Sequence, residues 1–304
     1  MTLKLDDDVD RRGFLKCMQW AGAAVVWSFA RGVPSSHILG APMEKAADFT
    51  FVQISDSHIG FHQPANPDVG ATLKASVDAI NAMPVQPKFV VHTGDITHLS
   101  TQQQFDDARA ILSQLRAPLI ALPGEHDVLG NDFGTYRANF GIKDAEPGGW
   151  ASWDDGGVHY IVLLNVFNFE KMGLMGNDQL SWLKKDLQSQ YPSTPIVVFT
   201  HVPLYALYPQ WGWTTQDGAS ALAMLSGFDH VTVLNGHIHQ IVTHVEGNIH
   251  FASATATAYP QPQPGTAPNP GPLTLPHDQL LHAIGYRTVR LDHGTAGIEQ
   301  FSLG

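Results

Sequence analysis

The chain has 304 residues, 43% of them hydrophobic, and a formal net charge of −11. This length and hydrophobicity suit one large domain with a real core and exclude wholesale disorder. The acidic balance argues against a nucleic-acid polymer as partner, and phosphate chemistry on such a chain requires local positive charge, which bound metal ions would supply.

Taken from the start, Arg11-Arg12-Gly13-Phe14-Leu15-Lys16 resembles the bacterial twin-arginine export signal. The resemblance implies the twin-arginine translocation machinery as a partner and a periplasmic or secreted destination for a protein folded with its cofactors in place. The apolar stretch over residues 18–30 is too short to span a bilayer comfortably, so no stable membrane span is expected in the mature protein. Residues 1–47 are read as signal and leader, and residues 48–304 as a single domain. The one cysteine, Cys17, falls in the leader. The mature protein would then have no disulfide, thiolate metal site or cysteine nucleophile.

Short β-rich runs then alternate with amphipathic helical patterns, which predicts an α/β fold. Residues 49–55 read as a strand, and Val69, Leu73, Val77 and Ile80 recur at helical spacing. A second strand is expected at residues 88–93. Ser100 and Gln103 suggest a capping box ahead of a helix carrying Phe105, Ala108, Leu112 and Leu115. Strands at residues 118–122 and 158–165, a helix at 178–190, and strands at 196–200 and 231–234 follow. Beyond Ile241 the pattern suggests strands and turns without a clear helix. Residues 259–276, rich in Pro and Gly, predict a long loop that either covers the active site or simply connects.

The informative feature is where the polar residues fall. Asp56 and His58 follow the first strand, Asp95 the second, and Glu125, His126 and Asp127 the third. His201 follows residues 196–200, and His237 and His239 follow residues 231–234. Open α/β sheets build sites beyond the carboxyl ends of their strands, so these groups are expected at one edge. Asp, Glu and His without Cys suit Mn, Fe or Zn, as two divalent or mixed-valence ions. Gly94, Gly124 and Gly236 permit tight turns beside them.

In order and spacing these motifs resemble the calcineurin-like metallophosphoesterases, over residues of about 50 to 240. The resemblance implies a four-layer α/β/β/α sandwich. It implies one metal on Asp56, His58 and His239, another on His201 and His237, and Asp95 between them. His126 would protonate the leaving group, oriented by Asp127. The substrate would be a small phosphoester, attacked by metal-activated water. Glu125 stands where the family has a metal-binding Asn; as a ligand it would add negative charge at the second metal. Gly236-His237-Ile238-His239-Gln240 and Gly285-Tyr286-Arg287 look like the class III cyclic-nucleotide phosphodiesterase branch. A phosphodiesterase is therefore expected. The alternatives are a non-hydrolytic exported metal-binding protein, its second site altered by Glu125, and a phosphomonoesterase or pyrophosphatase on the same site.

The other histidines, His98 among them, are expected at the surface or in ordinary hydrogen bonds. His92 is expected to be buried by alternation. Trp211, Trp213, Tyr205 and Tyr208 either line a pocket or pack their own loop.

Overall fold

Alternating strands and helices of this kind have to bury one face of each helix and both faces of each central strand. A computed structural model shows how, describing residues 24–30, 33–39, 49–129, 133–166, 173–292 and 295–304. The motif at residues 11–16 lies outside the described residues. The chain divides into two units, Met1–Ala47 and Asp48–Gly304. In the first, β1 (Ala24–Ala30) and β2 (Val33–Leu39) pair antiparallel.

The second unit opens with β3 (Phe49–Ile54), α1 (Val69–Asn81), β4 (Phe89–His92), α2 (Gln102–Leu112), β5 (Leu119–Ala121) and α3 (Phe133–Phe140). There follow β6 (Ala151–Asp155), β7 (Val158–Val162), α4 (Asn177–Leu187), β8 (Ile196–Thr200), α5 (Gly218–Leu225) and β9 (Val231–Asn235). The chain finishes with β10 (Thr243–Glu246), β11 (Ile249–Ser253), α6 (His277–Ala283), β12 (Gly285–Asp292) and β13 (Thr295–Ser302). One sheet has the order β13-β12-β3-β4-β5, the other β10-β11-β9-β8-β7-β6. Both are mixed: β3, β4 and β5 run parallel, as do β7, β8, β9 and β11, with antiparallel strands outside them.

The period of two along each strand sorts the apolar side chains into three layers of core. Val52, Ile54 and Val90 face Val69, Leu73 and Val77 of α1 and Phe105 and Ala108 of α2. Ile196, Val198 and Val233 face Leu183 of α4 and Ala221 of α5. Between the sheets lie Phe51, Phe89, Val91 and Val289 from one side and Tyr160, Val197, Phe199 and Leu234 from the other. Phe51 stacks on Phe89 at 4.9 Å and meets Phe199 edge-on at 5.5 Å. Each such buried aromatic contributes roughly 2–3 kcal/mol. The result is the expected α/β/β/α order, and in both sheets the parallel strands end at one edge. Among the described residues no helix is long and apolar enough to cross a membrane.

Local differences from expectation have physical causes. The cap of α2 is Thr101, whose hydroxyl accepts from the Gln104 amide at 3.3 Å. Ser100 instead donates to the His126 carbonyl at 2.6 Å and accepts from the Leu129 amide at 3.1 Å. Helix α5 was not expected because Gly218-Ala-Ser-Ala-Leu-Ala-Met-Leu carries no polar stripe to reveal a helical period. Helix α6 is only seven residues long and directly follows Pro276. Strand β6 alternates weakly, and its pairing with β7 places it at a sheet edge.

Candidate metal centre

At the carboxyl edge the backbone bends sharply five times to aim side chains inward. Asp56, His58, Asp95, His237 and His239 have φ of 52°, 43°, 52°, 68° and 51°. Non-glycine residues avoid this left-handed region at a cost of roughly 1–3 kcal/mol each. Among the described non-glycine residues only Ser100 and Asp144 also have positive φ, so the strain is concentrated at one place. Backbone bonds hold it there. The Asp56 amide donates to the Gly94 carbonyl and the His58 amide to the Asp95 carbonyl, both at 2.9 Å.

With Glu125 and His201 from neighbouring strand ends, these side chains include two groups that share no residue, beside overlapping ones that also take in Asp95, His98 and His126. Asp56, His58 and His239 make one, and Glu125, His201 and His237 the other, with donor atoms in each within 4.8 Å of one another. Asp95 lies between them. Its Oδ1 accepts from the His126 amide at 2.9 Å, which leaves Oδ2 at 3.6 Å from His58 Nε2 and 3.5 Å from His201 Nε2. Glu125 turns into the cluster, its oxygens 2.8 Å from His201 Nε2 and 3.0 Å from His237 Nδ1. Except for Glu125, whose side chain is 20% exposed, these groups are buried.

The arrangement fits cations. His201 Nδ1 lies 2.7 Å from the Thr93 carbonyl and His239 Nδ1 lies 2.6 Å from the Tyr259 carbonyl. Donation there leaves each Nε2 with a lone pair pointing into the cluster. His239 Nε2 meets His58 Nε2 at 3.2 Å, and the buried atoms His201 Nε2 and Glu125 Oε2 approach closely without hydrogen-bond geometry. With each of these ring nitrogens unprotonated they face one another and the carboxylates as acceptors, an arrangement that suits a positive ion between them, and protonation of the imidazoles is the alternative way to supply that charge.

Electrostatics point the same way. Burial disfavours a charged His201, yet Asp95 and Glu125 outweigh it and raise the imidazole well above its usual range. Burial opposes ionisation of Glu125, yet His237 and His201 hold it well below the usual carboxylate range. Asp56 is lowered because His239 outweighs burial. His58 is lowered well below normal by burial and by the imidazoles of His126, His239 and His98, so it stays neutral and able to ligate.

His126 sits at the rim, half-buried. Burial lowers its basicity, but Asp95 and Glu125 raise it further, giving a net upward shift. The expected contact with Asp127 is corrected: His126 Nδ1 lies 2.7 Å from the His98 carbonyl. Asp127 accepts from the amides of Ile96, Thr97 and Gly124 at 3.0, 2.7 and 3.0 Å and from the Thr97 hydroxyl at 2.9 Å. It is a buried brace between two strand ends, and burial with Asp95 nearby pushes its carboxyl up to about 6.

Two residues not expected at the site line it. The His98 ring stacks on His126 at 4.9 Å, with Nδ1 3.4 Å from His58 Nδ1. Tyr259, at the start of the long loop, stacks on His58 at 5.0 Å, and Gln261 donates to the His237 carbonyl at 3.1 Å. Neither residue carries a periodic signal; only the Pro- and Gly-rich composition of residues 259–276 pointed to a loop that could cover the site. His92 is fully buried behind the centre, 2.6 Å from Ser57 Oγ, and joins none of the donor groups. Asn235 hydrogen-bonds the Gly236 carbonyl and Ser253, and Trp211 and Trp213 pack edge-on within their own loop.

Two mixed sheets flanked by helices, with these donors at their shared edge, are the architecture of a metallophosphoesterase. Residues 49–241 match the family described as calcineurin-like phosphoesterase, and the chain belongs to that family. It is 26% identical over 210 residues to the "Probable glycerophosphodiester phosphodiesterase GpdQ" of Arcobacter nitrofigilis, covering 63% of this chain and 72% of that protein. It is 28% identical to the serine/threonine-protein phosphatase CPPED1 of Danio rerio, over 55% of this chain and 60% of that one. A "Probable cyclic nucleotide phosphodiesterase" of Rhodococcus erythropolis is 26% identical, over 63% and 65%. Among solved structures, a dimetal phosphatase from Danio rerio shares the fold with a TM-score of 0.59 at 13% identity, over 79% of this chain and 92% of that one. Yellow lupin purple acid phosphatase PPD1 gives 0.56 at 14% identity, over 80% and 49%.

A Cβ at Gly124 would collide with the Asp95 carboxylate and backbone, and φ at Gly94 is +98° with the His201 ring against it. Gly124→Ala is therefore expected to lose bound metal while keeping its far-ultraviolet circular dichroism; full metal content would show that Asp95 can move freely. His92 yields a pH prediction. Burial pushes it down to about 3 from 6.5, so the unfolded chain binds a proton that the fold rejects. Its stability is present above pH 6.5 and lost progressively as pH falls toward 3, by roughly 2–3 kcal/mol at pH 4.5. His92→Gln should flatten the acid limb of a urea-unfolding series on metal-free protein, and an unchanged slope would refute this.

Proposed function

We propose that the chain hydrolyses small phosphodiesters at a two-metal centre, with water as the nucleophile. The supporting observation is the pair of buried donor groups on either side of Asp95 with His126 at their rim. Asp56, His58 and His239 would hold one ion, Glu125, His201 and His237 the other, and Asp95 Oδ2 would serve both. Mn, Fe and Zn fit oxygen and imidazole donors without sulfur. When bound, the two cations supply the charge that acidifies a water and neutralises phosphoryl oxygens. His126 is held by the His98 carbonyl through Nδ1, which aims Nε2 away as the proton donor to the departing alkoxide. Without metal, Asp95 and Glu125 favour its protonated form against the opposing effect of burial.

The diester preference rests on charge. Three carboxylates against two divalent ions leave about one net positive charge, by simple counting from the donor set. A diester brings one negative charge to it, a monoester up to two. GpdQ and the cyclic-nucleotide relative are named for diester substrates. Export is part of the same proposal and rests on the residues of the Arg11-Arg12 motif.

Metal-reconstituted protein is expected to carry about two ions per chain and to turn over bis-p-nitrophenyl phosphate faster than p-nitrophenyl phosphate. One ion and no turnover of any phosphoester would leave a binding protein instead. His126→Ala should keep both metals and slow diester turnover by about 10²–10⁴-fold, most for poor leaving groups. Glu125→Asn should shift the monoester-to-diester ratio upward by about tenfold, the effect of roughly 1.4 kcal/mol. For export, an Arg11→Lys, Arg12→Lys pair should keep a fused reporter in the cytoplasm; unimpaired export would remove that part.

A further inference from the structure

The layer between the sheets changes character toward the metal centre. Phe51, Phe89, Val91 and Val289 are apolar, and the same alternation then places Gln53, Thr93 and Arg287 on that face. Arg287 is only 1% exposed and pairs in register with Gln53 across β12 and β3. Its Nε and Nη2 donate to Gln53 Oε1 at 2.8 and 2.5 Å. Its Nη1 and Nη2 also reach the facing sheet, donating to the Ser253 and Ala252 carbonyls of β11, each at 2.8 Å. All these acceptors are neutral. Burial pushes the guanidinium down to about 9, so it remains protonated at neutral pH.

A buried cation without a carboxylate costs more than an apolar side chain of the same volume, so its placement calls for a purpose beyond packing. The surrounding bonds indicate one. Gln53 Nε2 donates to Thr93 Oγ1 at 2.8 Å, and Thr93 Oγ1 to Ser55 Oγ at 2.7 Å, next to Asp56. The Thr93 carbonyl holds His201 Nδ1. Each donor group also draws on both sheets: His239 joins Asp56 and His58, and Glu125 joins His201 and His237. Sliding one sheet edge past the other would pull both groups apart.

We propose that Arg287 is a positioning residue that locks the two sheets in register beneath the centre and thereby lets it hold two cations together. This rests on the two-metal reading above. The fork of a guanidinium can serve Gln53 and two carbonyls of the facing sheet at once, whereas an ammonium is a single point of donation. Arg287→Lys keeps the charge and most of the packing.

The test uses the Asp48–Gly304 unit within the full chain, reconstituted with Mn(II). Manganese stoichiometry, the affinity of the second ion, the exchange-coupled electron paramagnetic resonance signal and the thermal midpoint are measured together. Arg287→Lys should remain folded and bind a first ion, with second-ion affinity weakened by about tenfold or more and the coupled signal reduced in step. Gln53→Met spares the two Arg287 bonds to β11, losing across the sheets only the long Gln53 Nε2 contact to the Asn235 carbonyl at 3.4 Å, and should weaken the second ion less. Wild-type affinity and coupling in Arg287→Lys would overturn the proposal, as would a larger loss in Gln53→Met than in Arg287→Lys. Wild-type protein that never takes up a second ion would instead overturn the two-metal reading itself.

Discussion

Everything at the centre follows from one electrostatic demand: Asp56, Asp95 and Glu125 meet inside the protein with imidazoles as their only ion-pair partners among the described residues. Removing an ion from water costs several kcal/mol even after the surroundings relax. Positive charge has to enter with them. The upward shifts of His201 and His126 show that pull acting on protons, and the neutral lone pair of His58 shows a donor ready for something larger than a proton. The backbone strain at the five left-handed residues makes sense in this setting, since it crowds acidic and imidazole groups into a volume they would otherwise avoid.

The fold meets this demand by dividing it. The strands of one sheet deliver Asp56, His58, Asp95 and Glu125, and those of the other deliver His201, His237 and His239. The apolar layer of Phe51, Phe89, Tyr160 and Phe199 presses the sheets together, but dispersion and burial are not directional enough to set their registration. Hydrogen bonds across the interface are. The His237 amide donates to Asp56 Oδ1 at 3.0 Å and the Thr257 amide to the Ser55 carbonyl at 2.9 Å, with the Arg287 bonds below them.

The donor set could be read from the sequence because parallel strands announce their carboxyl ends. A mostly apolar strand of three to six residues stops, in most cases at a glycine or small residue, and the next polar group has only one edge to occupy. What could not be read arises from contacts between segments far apart in the chain. Asp127 neighbours His126 in sequence, yet its carboxylate faces the amides of Ile96 and Thr97. Ser100 has the spacing of a helix cap, but the adjacent Thr101 takes that place and frees it to brace His126. His98 and Tyr259 lie in irregular loops where no period separates a ring over the site from a ring in solvent.

The sharing of each donor group between sheets also orders events during synthesis. When the ribosome has made the chain as far as Thr200, the first sheet lacks β12 and β13, and neither donor group has an imidazole from the second sheet. Both donor groups are thus complete only once the distal strands have docked. A chain truncated at Thr200 would hold Asp56, Asp95 and Glu125 beside His58, His98 and His126, without the imidazoles of His201, His237 and His239.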